Sequence, residues 1–163
     1  MSFFVVGVGA SGGQAAELVA AGIAAVSRLR HVELRAESRR YANPAWGGAT
    51  RAPFVNAAVV VASVLPAPAL LSALFSVESA FGRVRSDRKN QARTLDLDVL
   101  WADGIASTTT CAPVVPHPRL LERSFALIPA VEALRAAGIA VPWALAAAAR
   151  RHALAPLQAL PAR

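Results

Sequence analysis

Two aspartates in the stretch 93–101, Asp96 and Asp98, are the residues best suited to chemistry. Side chains alternate along an extended strand, so both carboxylates lie on one face while Leu97 points to the other. Like charges this close disfavour each other's ionisation, and a divalent cation removes that conflict. Oxygen ligands suit Mg²⁺, which often binds one or two carboxylates together with substrate phosphates. Two interpretations stay open, a metal-phosphate site or a strand with one solvated face.

Basic residues are concentrated around this acidic stretch. The net charge is +7, and Lys89 is the one lysine among the 17 basic residues. The basic residues nearest the aspartates are Arg83, Arg85, Arg88, Lys89 and Arg93 before them and Arg119 and Arg123 after them. Positive charge that converges on a carboxylate pair favours a site for a metal-bound phosphate. Binding of nucleic acid is an alternative without a motif behind it, and we expect no such partner.

Length and composition predict one domain, 1–163, in a protein without a membrane segment. The chain has 163 residues, and its 55% hydrophobic content is carried largely by alanine rather than by a long apolar run. Cys111 is the single cysteine, so no internal disulfide can form. These features indicate a cytoplasmic protein, with no membrane partner.

Alternating apolar residues predict four strands, and apolar residues that recur every three or four positions predict three helices. Strands are expected at 3–8, 32–40, 54–63 and 93–101, and helices at 15–27, 69–81 and 143–153. Residues 41–53 read as a long loop, and 125–129 as a short apolar run.

A glycine-rich stretch after the first strand suggests a different function. Gly7, Gly9 and Gly12 form Gly-x-Gly-x-x-Gly between a predicted strand and a predicted helix, which is the pattern of a dinucleotide site. Binding of NAD(P) through these glycines is therefore an alternative. The strands at 32–40 and 54–63 have no helix between them, which argues against the repeated βαβ units of that fold.

Three further positions are candidates for ligand contacts. Phe54 and Asn56 share one face of a predicted strand, where a ring can stack on a planar heterocycle and an amide can bond its edge. His117 stands between Pro116 and Pro118, whose rings restrict the backbone around it. Each position also has a structural interpretation, as a core ring, a strand-end amide or a loop histidine.

Several of these motifs together resemble one family. They are Gly82-Arg83-Val84-Arg85, Pro53-Phe54-Val55-Asn56, Arg93-Thr94-Leu95-Asp96-Leu97-Asp98, Val115-Pro116-His117-Pro118-Arg119 and Glu122-Arg123-Ser124-Phe125. In order, spacing and total length the chain is similar to the 6-hydroxymethyl-7,8-dihydropterin pyrophosphokinases of folate biosynthesis. The Arg-Thr-Leu-Asp-Leu-Asp string is the most specific part of the resemblance, which covers essentially the whole chain.

The resemblance implies an α+β fold, a ferredoxin-like sandwich with a mainly antiparallel sheet and helices packed on it. It implies transfer of pyrophosphate from ATP to the hydroxymethyl group of a dihydropterin, with release of AMP. The catalytic residues would be Arg83, Arg93, Asp96 and Asp98, the last two holding two Mg²⁺ ions. ATP would be bound by Glu78, Arg83, Arg85, Arg93, Val99, His117 and Arg123. The pterin would be bound by Gly7, Pro44, Phe54, Asn56 and Phe125.

The chain also departs from the family pattern. It has Gly7-Val8-Gly9 where the family usually has Gly-Ser-Asn, and Asn90-Gln91-Ala92 where Trp-Gly-Pro is common. Ala112 stands in place of a phosphate-binding arginine, and Phe54 in place of a tyrosine. Two hypotheses follow, an active pyrophosphokinase or a catalytically weak or inactive nucleotide- or pterin-binding relative with a regulatory role.

Overall fold

The computed structural model describes residues 1–43, 54–82, 95–106, 112–152 and 157–161. The strands are β1 (Ser2–Ser11), β2 (Val32–Glu37), β3 (Tyr41–Asn43), β4 (Phe54–Ser63), β5 (Asp96–Ala102) and β6 (Gln158–Ala159). The helices are α1 (Ala15–Val26), α2 (Ala67–Ala80), α3 (Ser124–Ala136) and α4 (Trp143–His152). Within these ranges no helix combines the length and the apolar character that crossing a membrane requires.

The strands form one antiparallel sheet. Their order is β5-β1-β4-β3-β6, with β2 also paired to β4, and every pairing is antiparallel. The α+β prediction with a mainly antiparallel sheet is therefore confirmed. The dinucleotide alternative is wrong in its structural premise, because Gly7 and Gly9 lie inside β1 and not in a turn between parallel βαβ units.

Helices cover both faces of this sheet. On one face, here called the α1–α2 face, β1 and β5 bury their alternate apolar residues against α1 and α2; these are Val6, Val8, Leu97 and Val99 of the sheet and Val19, Ile23, Leu70 and Leu74 of the helices. On the opposite face, here called the α3 face, a second core includes Val5, Ala58, Val60 and Leu100 of the sheet, Leu127, Val131 and Leu134 of α3, and Leu145 and Ala148 of α4. The face that a residue occupies therefore decides which helices it meets.

A register shift in β5 interrupts its alternation. Trp101 pairs with Val5 and Val99 pairs with Val6, so Leu100 is an extra residue without a partner in β1. As a result Leu100 and Trp101 both pack in the core of the α3 face. The alternation predicted from the sequence holds from Leu95 through Leu100 and is lost after it.

Three elements differ from the sequence prediction. Tyr41–Asn43 was expected to be loop but forms β3, because these residues pair with β4. The run at 125–129 is part of the thirteen-residue helix α3, which contains Pro129. The short strand β6 was not predicted, and it pairs with β3. The predicted helices at 15–27, 69–81 and 143–153 are present as α1, α2 and α4, with ends shifted by one or two residues.

Candidate active site

One row of residues runs across four strands of the sheet. Asp96 of β5 pairs with Gly9 of β1, Gly9 pairs with Asn56 of β4, and Asn56 pairs with Tyr41 of β3. Asp98 pairs with Gly7 one step further along β1. Because paired residues in an antiparallel sheet point to the same side, this row lies on the α3 face. The sheet thus brings the predicted metal ligands and a predicted pterin ligand onto one surface.

The two aspartates are less deeply buried than Leu100, which follows them on the same face of β5. Both are half-buried, whereas Leu97 between them is fully buried on the α1–α2 face and Leu100 is buried on the α3 face. Two residues of strand separate their Cα atoms by about 6.6 Å. In the described ranges no group of three or more His, Cys, Asp or Glu side chains is placed to hold a metal ion. The acidic centre of the surface is therefore this pair of carboxylates.

Glycine at position 9 makes room for the side chain of Asn56. A Cβ atom on Gly9 would lie 2.8 Å from Oδ1 of Asn56, closer than two such atoms approach. A side chain at this position would displace that amide. The neighbouring Val8 is 2% exposed in the core of the α1–α2 face, so the residue at position 8 does not face the row of site residues. The departure from Gly-Ser-Asn therefore alters the α3 face at position 9 only.

The Asn56 amide is held by a residue that the sequence did not single out. Nδ2 of Asn56 donates a hydrogen bond of 2.9 Å to Oδ1 of Asn43, which is half-buried at the end of β3. Asn43 in turn pairs with Phe54, which is also half-buried. A signal was present, since Tyr41 and Asn43 have the two-residue spacing of a strand, but three residues before Pro44 are too few to separate a strand from a loop.

His117 is fixed against the same strand as the aspartates. Its backbone N–H donates to the carbonyl oxygen of Leu100 at 2.8 Å, and its Nδ1 accepts the N–H of Arg119 at 3.1 Å. The neutral ring assigned by these bonds carries its proton on Nε2. Burial lowers the pKa of His117, and the positive charges of Arg123 and Arg119 lower it further. The negative charges of Asp98 and Asp96 act in the opposite direction and raise it. His117 therefore lies within electrostatic range of the predicted metal ligands and of Arg123.

The first turn of α3 brings a predicted ATP residue against a predicted pterin residue. Arg123 has an extended backbone and directly precedes the helix, and Phe125 is its second residue. The guanidinium carbon of Arg123 lies 5.7 Å from the centroid of the Phe125 ring, and both residues are half-buried. This is the geometry of a cation–π contact.

Two predicted ATP residues lie beneath the surface. Glu78 is 1% exposed, and its Oε1 accepts the backbone N–H of Leu97 at 2.7 Å. Glu78 is therefore a buried, hydrogen-bonded carboxylate and not a solvated charge at the end of α2. Val99 is 2% exposed in the core of the α1–α2 face, so its side chain points away from the aspartates. Glu78 therefore supports β5 between the two aspartates. A ligand on the α3 face could contact only the backbone of Val99, and not its side chain.

Four predicted site residues, Pro44, Arg83, Arg85 and Arg93, lie outside the described residues, as does Cys111. The remaining predicted residues are brought together on the α3 face or directly below it. Sequence reasoning missed Asn43, Tyr41 and Glu132, whose contacts join segments far apart in the chain.

Comparison with known proteins identifies the family. The family model described as 7,8-dihydro-6-hydroxymethylpterin-pyrophosphokinase matches residues 5–135. The chain is 34% identical over 126 residues to the 2-amino-4-hydroxy-6-hydroxymethyldihydropteridine pyrophosphokinase of Methylorubrum extorquens, which covers 77% of this chain and 78% of that protein. It is 30% identical over 128 residues to the protein of the same name from Synechocystis sp., covering 78% of this chain and 64% of that protein.

A longer relative matches over a shorter stretch. The mitochondrial folate synthesis bifunctional protein of Arabidopsis thaliana is 40% identical over 84 residues, or 52% of this chain and 15% of that protein. The matched range of the family model begins in β1 and ends in α3, so it includes every strand of the row described above. The chain belongs to the 7,8-dihydro-6-hydroxymethylpterin-pyrophosphokinase family.

Proposed function

We propose that the chain transfers the pyrophosphoryl group of ATP to the hydroxymethyl oxygen of 6-hydroxymethyl-7,8-dihydropterin and releases AMP. The observation that carries this proposal is the row in which Asp96, Gly9 and Asn56 lie side by side on one face of the sheet. A phosphate-directed centre and a slot for a planar ring then share one surface. The names of the family and of the relatives support the same reaction.

The carboxylate pair fits a magnesium site by its chemistry. Two half-exposed carboxylates leave most of the coordination sphere to water and to phosphate oxygens, and Mg²⁺ binds proteins in this way. Asp96 and Asp98 are the residues that would hold the metal, and the resemblance implies that they would hold two Mg²⁺ ions. When bound, magnesium neutralises charge on the transferring phosphates and helps to align them.

The protein side chains supply orientation and charge. The hydroxymethyl oxygen attacks the β-phosphorus of ATP and loses its proton to water. The bond from that phosphorus to the oxygen that bridges the α- and β-phosphates breaks, and AMP departs with that oxygen. Arg123 stabilises the phosphates of ATP. Because its guanidinium lies over Phe125, it also places those phosphates next to the ring that binds the pterin. Asn56, held by Asn43, offers hydrogen bonds to the edge of the pterin, and Phe54 and Phe125 enclose its faces. Alignment of this kind is the main protein contribution to phosphoryl transfer.

His117 serves as a neutral contact for ATP. Because its pKa is lowered and its Nδ1 is occupied by Arg119, Nε2–H is the group that it offers as a donor. Glu78 acts indirectly, by holding the backbone of Leu97 between the two aspartates.

One assay tests the proposal. The chain is incubated with ATP, MgCl₂ and 6-hydroxymethyl-7,8-dihydropterin, and the products are separated by liquid chromatography. We expect AMP and the pyrophosphorylated pterin in equal amounts, with no AMP when magnesium is chelated. Binding of ATP without formation of AMP would contradict the proposal and favour a regulatory binding relative. A cytoplasmic location stays a prediction, which fractionation of cells that express the full chain would test.

A further inference from the structure

A part-buried polar contact ties β3 to α3, at the end of the row of site residues that lies away from the carboxylate pair. The hydroxyl of Tyr41 donates to Oε2 of Glu132 at 2.5 Å, and Nε of Arg39 donates to Oε1 of the same carboxylate at 2.8 Å. Nη2 of Arg39 also donates to the Tyr41 oxygen at 3.2 Å. Both oxygens of Glu132 and the Tyr41 hydroxyl are thus engaged in one small network between β3 and α3.

The residues of this network differ in burial, and the hydrogen bonds of the buried ones contribute more to stability than those exposed to water. Tyr41 is 4% exposed, and the Glu132 side chain is 27% exposed, whereas the Arg39 side chain is 64% exposed. Burial, followed by the hydrogen bond to Glu132, raises the pKa of Tyr41, so the hydroxyl keeps its proton and remains a donor. A charge-assisted bond inside a protein is stronger than a solvated surface pair. The contact between Tyr41 and Glu132 is therefore the central one, and Arg39 closes it from the solvent side.

The network lies at one end of the surface that α3 crosses. Tyr41 is the direct register partner of Asn56, so its ring stands beside the Asn56 amide on the α3 face. At its other end α3 begins next to His117, since Arg123 acts on the pKa of that histidine. Between these ends the helix packs on β1, β4 and β3, three of the four strands that form the row of site residues.

The spacing along α3 links the network to Phe125. Glu132 follows Phe125 by seven residues, which is about two turns and about 10.5 Å of helix, so the two side chains project from nearly the same side. A helix anchored at Glu132 cannot rotate about its axis or move away from the sheet without breaking the bond to Tyr41. The direction in which Phe125 points is therefore coupled to that bond.

We propose that Tyr41 and Glu132 are positioning residues that hold α3, and with it the Phe125 ring, at the spacing from Asn56 that the dihydropterin ring requires. This inference rests on the function proposed above, in which Asn56 and Phe125 bind the pterin. Neither Tyr41 nor Glu132 needs to touch the substrate. Their effect is on the affinity for pterin, because ATP is bound around the aspartates at the opposite end of the row.

The test compares Tyr41→Phe and Glu132→Ala with a buried control. Ser63→Ala removes another buried hydroxyl, which is 1% exposed and donates to the carbonyl of His31 at 2.7 Å. Ser63 lies seven residues from Asn56 along β4, or about 23 Å, at the far end of the strand. Calorimetric titration of each variant with 6-hydroxymethyl-7,8-dihydropterin and, separately, with magnesium and ATP gives the two affinities, and thermal melts give stability.

We expect Tyr41→Phe and Glu132→Ala each to weaken dihydropterin binding about five- to tenfold, the size of effect that loss of one good hydrogen bond produces. ATP affinity should stay within about twofold of the wild type, and Ser63→Ala should change neither affinity although it lowers the melting temperature. The double variant should bind about as weakly as either single variant, because both break the same contact. Glu132→Gln, which keeps an oxygen to accept the Tyr41 hydroxyl, should recover part of the loss.

Two results would overturn the inference. One is dihydropterin affinity in Tyr41→Phe and Glu132→Ala equal to that of the wild type; the other is an equal loss of pterin and ATP affinity, which would indicate a general structural role. A wild-type protein that binds no dihydropterin would contradict the proposed function itself, and the inference with it. Failure of the inference alone is therefore distinct, because it requires a wild type that binds the pterin.

Discussion

The guanidinium of Arg123 lies over the ring of Phe125, 5.7 Å from its centroid, at the start of α3. This contact joins a cation suited to phosphate with a ring suited to a planar heterocycle. Each side chain restricts the other, so loss of the cation should be felt by both substrates.

We expect Arg123→Ala to raise the KM for ATP about tenfold and the KM for dihydropterin about threefold, since a partly exposed cation–π contact contributes about 0.5–1 kcal/mol. Arg123→Lys keeps the charge but not the planar stack, so both of its KM values should lie between those of the wild type and those of Arg123→Ala. Arg135→Ala, an exposed arginine in the last turn of the same helix, is the control. Steady-state kinetics with each substrate varied in turn measures the effect. A change in KM for ATP alone would show that the ring contact does not influence pterin binding.

Asp98→Ala should abolish magnesium-dependent transfer and leave the fold intact. The half-exposed carboxylate lies on the surface, so its removal opens no cavity in the core, while loss of a metal ligand should lower kcat by at least about 100-fold. Asp103→Ala, an exposed aspartate in the turn after β5, should retain normal turnover. AMP formation and circular dichroism report the two properties. Normal turnover of Asp98→Ala with magnesium would contradict the assignment of the metal site.

Gly9→Ala tests whether the space beside Asn56 matters. The added Cβ would stand 2.8 Å from Asn56 Oδ1 and would push the amide off its bond to Asn43. We expect dihydropterin affinity to fall about tenfold, with ATP affinity within about twofold of the wild type. Gly13→Ala is the matched control, because no atom lies within 4 Å of its added Cβ. Equal pterin affinity in both variants would show that the Asn56 amide is not needed in its present place.

Glu78→Ala should reduce both stability and catalysis. It leaves the N–H of Leu97 without its carboxylate partner at a position that is 1% exposed, which costs about 1–3 kcal/mol in the free energy of unfolding. Glu78→Gln keeps an oxygen acceptor of the same size and should recover part of that loss. Glu37→Ala, an exposed glutamate at the end of β2, should be close to neutral. Denaturant melts and kcat at saturating substrates are the measurements; a kcat unchanged in Glu78→Ala would show that the aspartates do not depend on this support.

His117 predicts a pH dependence of stability. Its pKa in the folded chain is lower than its value of about 6.5 in the unfolded chain, so on acidification the unfolded chain takes up the proton first. The contribution of His117 is therefore fully present above about pH 6.5 and is lost as the pH falls towards the lowered pKa. The charged groups that act on it are Arg119, Arg123, Asp96 and Asp98.

Denaturant melts of the wild type and His117→Gln between about pH 5 and pH 8 isolate this effect, because other titrating groups cancel in the difference. The stability of the wild type relative to the variant should decrease below about pH 6.5. A difference that is constant or increases on acidification would contradict the lowered pKa.

The family and the α+β class were predicted from the resemblance of several motifs together, the face that holds the aspartates was predicted from strand alternation, and all three are confirmed. A strand such as β5 reveals its faces in its own alternation, because Leu95, Leu97 and Val99 all point into one core. The repeated spacing of Leu70, Leu74 and Val77 likewise predicted α2. These features depend on neighbours within a few residues.

What escaped prediction depends on partners far along the chain. Pro129 argues against a helix, although it lies inside α3. Leu127, Val131 and Leu134 nevertheless have the spacing of one helical face. Glu78 is buried because Leu97, nineteen residues away, offers it a backbone N–H. Asn43 became part of the site through Asn56, thirteen residues further along the chain. No periodicity within one element contains that information.

The Glu78 carboxylate also bears on the edge of the sheet, because β5 is the terminal strand among those in the described part of the chain. An open strand edge is a template on which a second polypeptide can add, and such addition starts aggregation. Leu97 cannot offer its N–H to a foreign strand while Glu78 accepts it. While Glu78 holds this N–H, one donor of the β5 edge is withheld from edge-to-edge pairing with another copy of the chain.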